Sequence, residues 1–208
     1  MAICRSSVAV AVLILNLFVV VSSRFVLKID DDQETSNYTN YTRADWGAKP
    51  ATGNSRHFNS SVPYVVIHHT YIPGACHTFK ECAASIRGMQ NYHMGLGWGD
   101  IGYNFLIGSE GGVYEGRGFD TVGIHAGKAN GYSLGICLIG DWRVDLPPPE
   151  QLEAAKQLIA EGVKRDKIRA DYKMVGHSQV MQTECPGGRL LREIESWPHF
   201  SPEKPKTE

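Results

Sequence analysis

Two apolar segments rich in β-branched residues constrain the fold of this chain more than any other feature. The segment VPYVVIHHT starts at Val62 and ends in two histidines, and the segment LGICLIGDW spans residues 134–142. The first has the β-branched density of a buried strand, and the second is expected to be a strand buried on both faces. Strands of this kind belong to a sheet whose faces are covered by other elements.

The segments between these strands predict helices. After a break at Pro73-Gly74, Thr78 can cap a helix that ends near Gly95, and the prolines at 147–149 can open a second helix. Apolar residues recur at helical spacing in both: Phe79, Ala83, Ile86 and Met89 in the first, and Leu152, Ala155, Ile159 and Val163 in the second.

The remaining elements complete a mixed pattern. A glycine-rich turn at 109–112 predicts a hairpin of NFLIG and GVYEG. A strand around KMVGH and a helix from Gly188 to Trp197 follow. The sequence therefore predicts an α/β fold, a single domain in which about three helices flank a central mixed β-sheet.

The ends of the chain are expected to lie outside this domain. Arg5 precedes a largely apolar segment of 14 residues, 8–21, which is typical of a signal peptide over 1–23 and falls short of the roughly 20 residues of a spanning helix. We expect a flexible polar segment at 24–42, the domain at 43–200 and a flexible tail at 201–208. The mature protein is then secreted and extracellular, with no membrane segment.

Composition and charge exclude several classes of partner. The chain has 208 residues, with 21 basic and 22 acidic side chains and a pI near 6.7. This balance gives no electrostatic footprint for nucleic acid or for an anionic membrane surface. Specificity must therefore come from a local site.

Sequons and cysteines agree with export. Asn37, Asn40 and Asn59 each start a glycosylation sequon. Cys76 and Cys82 flank a five-residue loop, and a local disulfide between them is expected in an oxidising compartment. Cys137 lies in an apolar run and is interpreted as a small buried hydrophobic residue.

Three candidate metal ligands stand where strands end or loops begin. They are His68 after VVI, His177 after KMVG, and Cys185 in TECPGG. Two imidazoles and a thiolate are a suitable set for a catalytic Zn²⁺, whose fourth position is left for water. The spacing alone is no recognised zinc pattern, so a satisfied histidine and an odd thiol remain the alternative.

Eight motifs in order resemble one family. VVIHHT, the C-x5-C loop, GWGDIGYNFLIG, VYEGRGF, GICLIGDW, GHSQV, TECPGG and SWPHF closely resemble the peptidoglycan recognition proteins, which are similar to the phage-type zinc amidases. The match covers residues 43–200. The resemblance implies a zinc-dependent N-acetylmuramoyl-L-alanine amidase that acts on bacterial peptidoglycan in innate immunity, with His68, His177 and Cys185 as ligands. Binding-only members typically replace the cysteine.

The resemblance also assigns further site residues. Tyr103 and Thr183 correspond to the family's catalytic tyrosine and threonine, and would donate hydrogen bonds or assist proton transfer. Gly97, Trp98 and Arg117 correspond to residues that accompany recognition of meso-diaminopimelic acid, whose extra carboxylate a guanidinium can grip. Thr70, His93 and His125 are implied near the binding groove. His69 is a further binding candidate, although strand alternation can equally make it a core residue.

Two other functions remain open from the sequence. The chain could be a peptidoglycan-binding receptor that does not hydrolyse its ligand, or a cysteine hydrolase in which His177 activates Cys185. The intact Cys185 argues against the receptor. A monomer is expected, and the residues do not distinguish ligand scavenging from killing of bacteria or digestion.

Overall fold

Six strands form a mixed sheet in the computed structural model, which describes residues 38–203 and 205. The strands are β1 (Asn40–Tyr41), β2 (Val62–His69), β3 (Phe105–Ile107), β4 (Val113–Glu115), β5 (Ser133–Leu138) and β6 (Ile168–Gly176), and their order in the sheet is β1-β4-β3-β5-β2-β6. Only the β3–β4 hairpin is antiparallel, and all other neighbours pair in parallel. The predicted α/β fold with a central mixed sheet is confirmed.

Within the described part of the chain, three α-helices flank the sheet, as predicted. They are α1 (Phe79–Gly95), α2 (Pro149–Lys164) and α3 (Gly188–Ile194). Thr78 caps α1, because its side chain accepts a hydrogen bond from the amide of Glu81 at 3.3 Å. The last helix ends at Ile194, three residues before its predicted end at Trp197. Trp197 is followed by Pro198, and the helical conformation is disfavoured for a residue that precedes proline.

The helices divide between the two faces of the sheet. The apolar side of α1 packs with Leu106 and Cys137, whereas α2 and α3 pack with Ile67 and Leu138 on the opposite face. On the α1 face, β2 and β6 are covered instead by a short 3₁₀ segment, Gly127–Tyr132, and the residues before it. Because side chains alternate along β2, His68 at its end faces the α1 side and His69 the α2 side.

The fold includes residues beyond both predicted bounds of the domain. Asn40–Tyr41 form the edge strand β1, because the ring of Tyr41 packs 4.7 Å from Phe79 and 4.8 Å from Tyr114 between ring centroids. The segment predicted to be flexible at 24–42 therefore includes structured residues from 38 onward. Ser201 is likewise buried, and its amide donates to the Met174 carbonyl at 2.9 Å, so the predicted tail starts within the fold. The predicted signal peptide and Asn37 lie outside the described residues.

Several smaller features can be compared directly. Cys76 and Cys82 form the predicted disulfide, and Cys137 is a buried free thiol. Asn40 and Asn59, which start two of the sequons, are exposed. Among the helices of residues 38–203, none is long and apolar enough to cross a bilayer.

Candidate metal centre

The three predicted ligands meet at one end of the sheet. His68 is close to the end of β2, His177 directly follows β6, and Cys185 lies in the loop before α3. One ligand atom from each residue lies within 4.8 Å of the others. The rings of His68 and His177 are 4.3 Å apart between centroids, and the Sγ of Cys185 is 3.8 Å from Nδ1 of His68. Side chains from three distant segments thus converge on a common centre.

The contacts of both imidazoles leave the same nitrogen, Nδ1, available to bind a metal. The Nε2 atom of His68 contacts His125, and the Nε2 atom of His177 is 3.2 Å from Sδ of Met181. Nδ1 of His177 is buried and has no hydrogen-bond partner among the described residues. A buried nitrogen without a partner is costly, and a bound cation would satisfy it.

Main-chain and hydroxyl groups hold Cys185 in place. Its Sγ accepts a hydrogen bond from the amide of His69 at 3.3 Å. Its own amide donates to Oγ1 of Thr183 at 3.2 Å. The pairing of β6 with β2 ends at Gly176, opposite Ile67, so the sulfur occupies the space beside the last residues of β2. Thr183 therefore contacts the ligand loop rather than lying free in the groove.

Burial sets the protonation of the three residues. It lowers the pKa of His68 well below its usual value and that of His177 to about 4, so both imidazoles are neutral near pH 7. Neutral imidazole is the form that binds metals. Burial raises the pKa of the Cys185 thiol to about 12, whereas catalytic cysteines have lowered values. The thiol therefore suits a metal ligand, which loses its proton on binding, better than the nucleophile of a cysteine hydrolase.

A row of rings leads away from the cluster. The ring of Tyr103 lies 5.3 Å from that of His68 and 5.8 Å from that of His93, which in turn stacks on Trp98 at 4.5 Å. Burial raises the pKa of Tyr103 well above its usual value, so its hydroxyl remains a hydrogen-bond donor. Nδ1 of His93 accepts from the amide of Gly102 at 3.1 Å, which fixes its ring.

Arg117 lies in a cavity of about 380 Å³ at the far end of this row. Its guanidinium donates to the carbonyls of Ile101 at 2.7 Å, Trp98 at 2.8 Å and Val122 at 3.4 Å. Among the described residues, Arg117 forms no ion pair. Since each donor nitrogen uses one N–H group, one N–H on each terminal nitrogen is left, and none of the described residues accepts from it.

Basic side chains predominate over acidic ones in the lining of this cavity. Arg56 and Lys128 also contribute to its lining, whereas its acidic group, Asp100, forms an ion pair with Arg43 at 3.0 Å. Gly97, before Trp98, has a φ of +82°, which favours glycine at that turn. The cavity is suited to an anionic ligand that lies against an aromatic wall.

Three predicted binding residues have internal partners instead. The hydroxyl of Thr70 donates to the Pro73 carbonyl at 2.6 Å and accepts from the amide of Gly140 at 2.8 Å, so it fixes the loop after β2. His69 faces the α2 side, where Nδ1 accepts from the amide of Trp142 at 3.1 Å. His125 is buried behind His68. The sequence predicted that these residues lie near the site, but it did not predict the contacts that they make.

Two residues near the cluster were not predicted to belong to the site. Met181 contacts His177, which lies four residues before it in the sequence. That spacing is typical of side chains that meet, and it could have indicated the contact. Cys137, which was assigned only to the core, is the register partner of His68 and packs with Tyr103. That position follows from strand register, which local sequence does not reveal.

Comparison with known proteins places this geometry in a family. The family model described as N-acetylmuramoyl-L-alanine amidase matches residues 58–188. Peptidoglycan-recognition protein LB of Drosophila melanogaster is 53% identical over 161 residues, which are 77% of this chain and 69% of that protein. The N-acetylmuramoyl-L-alanine amidase of Homo sapiens is 38% identical over 164 residues, 77% of this chain and 28% of that longer protein.

A solved structure agrees with these relatives. Peptidoglycan recognition protein-LE, in complex with tracheal cytotoxin, a monomeric diaminopimelic acid-type peptidoglycan, is 40% identical with a TM-score of 0.77, and the match covers 78% of this chain and 96% of that one. Sequence and fold thus agree over the same domain. The chain belongs to the N-acetylmuramoyl-L-alanine amidase family, together with the peptidoglycan-recognition proteins.

Proposed function

We propose that this protein is a zinc-dependent N-acetylmuramoyl-L-alanine amidase, which hydrolyses the amide bond between N-acetylmuramic acid and L-alanine in bacterial peptidoglycan. The observation that carries the proposal is the convergence of His68, His177 and Cys185, whose ligand atoms lie within 4.8 Å of one another. Two neutral imidazoles and one thiol, with no fourth protein ligand among the described residues, form the donor set of a catalytic rather than a structural zinc.

The residues around the cluster supply the remaining chemistry. A Zn²⁺ ion held by His68, His177 and Cys185 would lower the pKa of a water molecule at the site and polarise the scissile carbonyl. Tyr103 keeps its proton at neutral pH and donates a hydrogen bond to the carbonyl oxygen as negative charge develops there. Thr183 holds the loop of Cys185 through its hydroxyl oxygen and retains its own proton as a second donor.

We propose a preference for stems that contain meso-diaminopimelic acid. The row of rings from His68 to Trp98 gives the peptide a path from the cluster to the cavity of Arg117. There the extra carboxylate of diaminopimelate can accept from the two remaining N–H groups of the guanidinium. The complex of the related LE protein with a diaminopimelic acid-type ligand supports this assignment.

The compartment and purpose of the protein are part of the same proposal. We propose that the protein is secreted and acts as a monomer in innate immunity. The disulfide of Cys76 and Cys82 and the exposed sequon residues Asn40 and Asn59 support its action outside the cell.

The test is a digestion of diaminopimelate-type peptidoglycan by the purified protein. With added zinc, we expect free stem peptides that carry an N-terminal alanine, and a chelator should abolish their release. Binding without release in added zinc would identify a non-hydrolysing receptor. Release that persists in chelator would favour cysteine chemistry.

A further inference from the structure

We propose that His125 is a positioning residue, which fixes the tautomer and the ring orientation of His68 for metal binding. The inference rests on the proposed metal site. Nδ1 of His125 lies 3.0 Å from Nε2 of His68, within hydrogen-bond distance, and both rings are buried. The two rings are perpendicular, with centroids 5.0 Å apart.

The direction of this hydrogen bond follows from the cluster. Nδ1 of His68 faces Cys185 and must lack a proton in order to bind a metal. The single proton of the neutral ring then sits on Nε2, which donates to Nδ1 of His125. His125 must in turn carry its own proton on Nε2. An acceptor at Nδ1 of His125 therefore selects the metal-binding tautomer of His68, as the hydrogen-bond partners of metal-bound histidines do.

The surroundings hold His125 in one place. Glycines line the ring, because a Cβ atom added at Gly123 or at Gly135 would lie 2.5 Å from it. Oδ1 of Asn130 accepts from the amides of His125 at 2.9 Å and of Ala126 at 2.6 Å, and so anchors the main chain.

The other ring nitrogen does not compete for this role. Nε2 of His125 is buried and lacks a well-formed hydrogen bond to any described residue. The well-formed ring contact of His125 is instead the one to His68, which points to a function in holding that ligand.

The experiment compares two substitutions of similar shape in the full chain. His125→Asn places an amide oxygen near the position of Nδ1 and can still accept from His68, whereas His125→Leu cannot. Zinc affinity is measured by competition with a chromophoric chelator, after circular dichroism shows that both variants are folded. We expect His125→Leu to bind zinc about 10- to 100-fold more weakly than the wild type, and His125→Asn to recover most of that loss.

A second measurement needs neither variant nor metal. In metal-free wild-type protein labelled with ¹⁵N at histidine, long-range ¹H–¹⁵N spectra should show the His68 proton on Nε2 and the His125 proton on Nε2. A proton on Nδ1 of His68, or equal zinc affinity of the Asn and Leu variants, would overturn the inference. Failure of the wild type to bind zinc at all would instead refute the proposed function, and the tautomer result would still stand.

Discussion

Replacing Arg117 with valine should remove the preference for diaminopimelate stems without preventing peptide binding. Three of the five N–H groups of Arg117 donate to main-chain carbonyls, and the two others have no acceptor among the described residues, so we propose that they bind the extra carboxylate. A hydrogen-bonded contact with a charged group contributes about 1.5–3 kcal/mol, which corresponds to about 10- to 150-fold in affinity. We therefore expect that loss for a diaminopimelate peptide. A lysine peptide, which lacks the carboxylate, should bind as well as before or more tightly.

The assay uses stem tripeptides without muramic acid, so that no scissile bond is present and binding is measured alone. Calorimetric titration with the diaminopimelate and lysine peptides gives the ratio of the two affinities. Arg56→Val is the matched control, because it removes a cation from the lining of the same cavity and should leave most of that ratio unchanged. Thermal unfolding of Arg117→Val checks the fold, since three carbonyls lose their donor. Wild-type discrimination in a folded Arg117→Val variant would refute the reasoning.

Three further predictions concern the cluster and its surroundings. Cys185→Ala should abolish zinc retention and cleavage while the fold is preserved, whereas Cys137→Ala should retain stoichiometric zinc by elemental analysis; metal retained by Cys185→Ala would contradict the assigned ligand. Tyr103→Phe should lower kcat about 10²- to 10³-fold with little change in KM, as expected for an oxyanion donor, and an unchanged kcat would exclude that role. Burial lowers the pKa of His93 from 6.5 to about 4. As the pH falls, the unfolded chain therefore takes up a proton at His93 before the folded protein does, and the free energy of unfolding decreases between about pH 6.5 and 4. In His93→Asn that fall, measured by denaturant unfolding, should be shallower by up to about 1.4 kcal/mol per pH unit, and an identical slope would contradict the shift.

Local patterns were sufficient for the main elements of the fold. Thr78 caps its helix as expected, and β2 ends in the two histidines, because capping and β-branched density act within a few residues. The edge strand of Asn40–Tyr41 escaped prediction, since the rings that hold it, Phe79 and Tyr114, are distant in sequence.

In the candidate site, too, the residue types were predicted from the sequence, whereas the contacts between distant residues were not. The types of His68, His177 and Cys185 indicated a metal, and the family resemblance selected them, but only the fold brings them together. The contacts of Thr70 and His125 depend on strand register and loop conformation. Neither property is encoded in the spacing of residues along the chain.

X-ray absorption at the zinc edge tests the central claim most directly. For zinc-loaded protein, we predict a four-coordinate site with one sulfur at about 2.3 Å and three nitrogen or oxygen neighbours at about 2.0–2.1 Å, two of them imidazoles. The sulfur shell should disappear in Cys185→Ser. A zinc environment without sulfur, or one with more than one sulfur, would contradict the assignment of His68, His177 and Cys185 as the metal-binding residues.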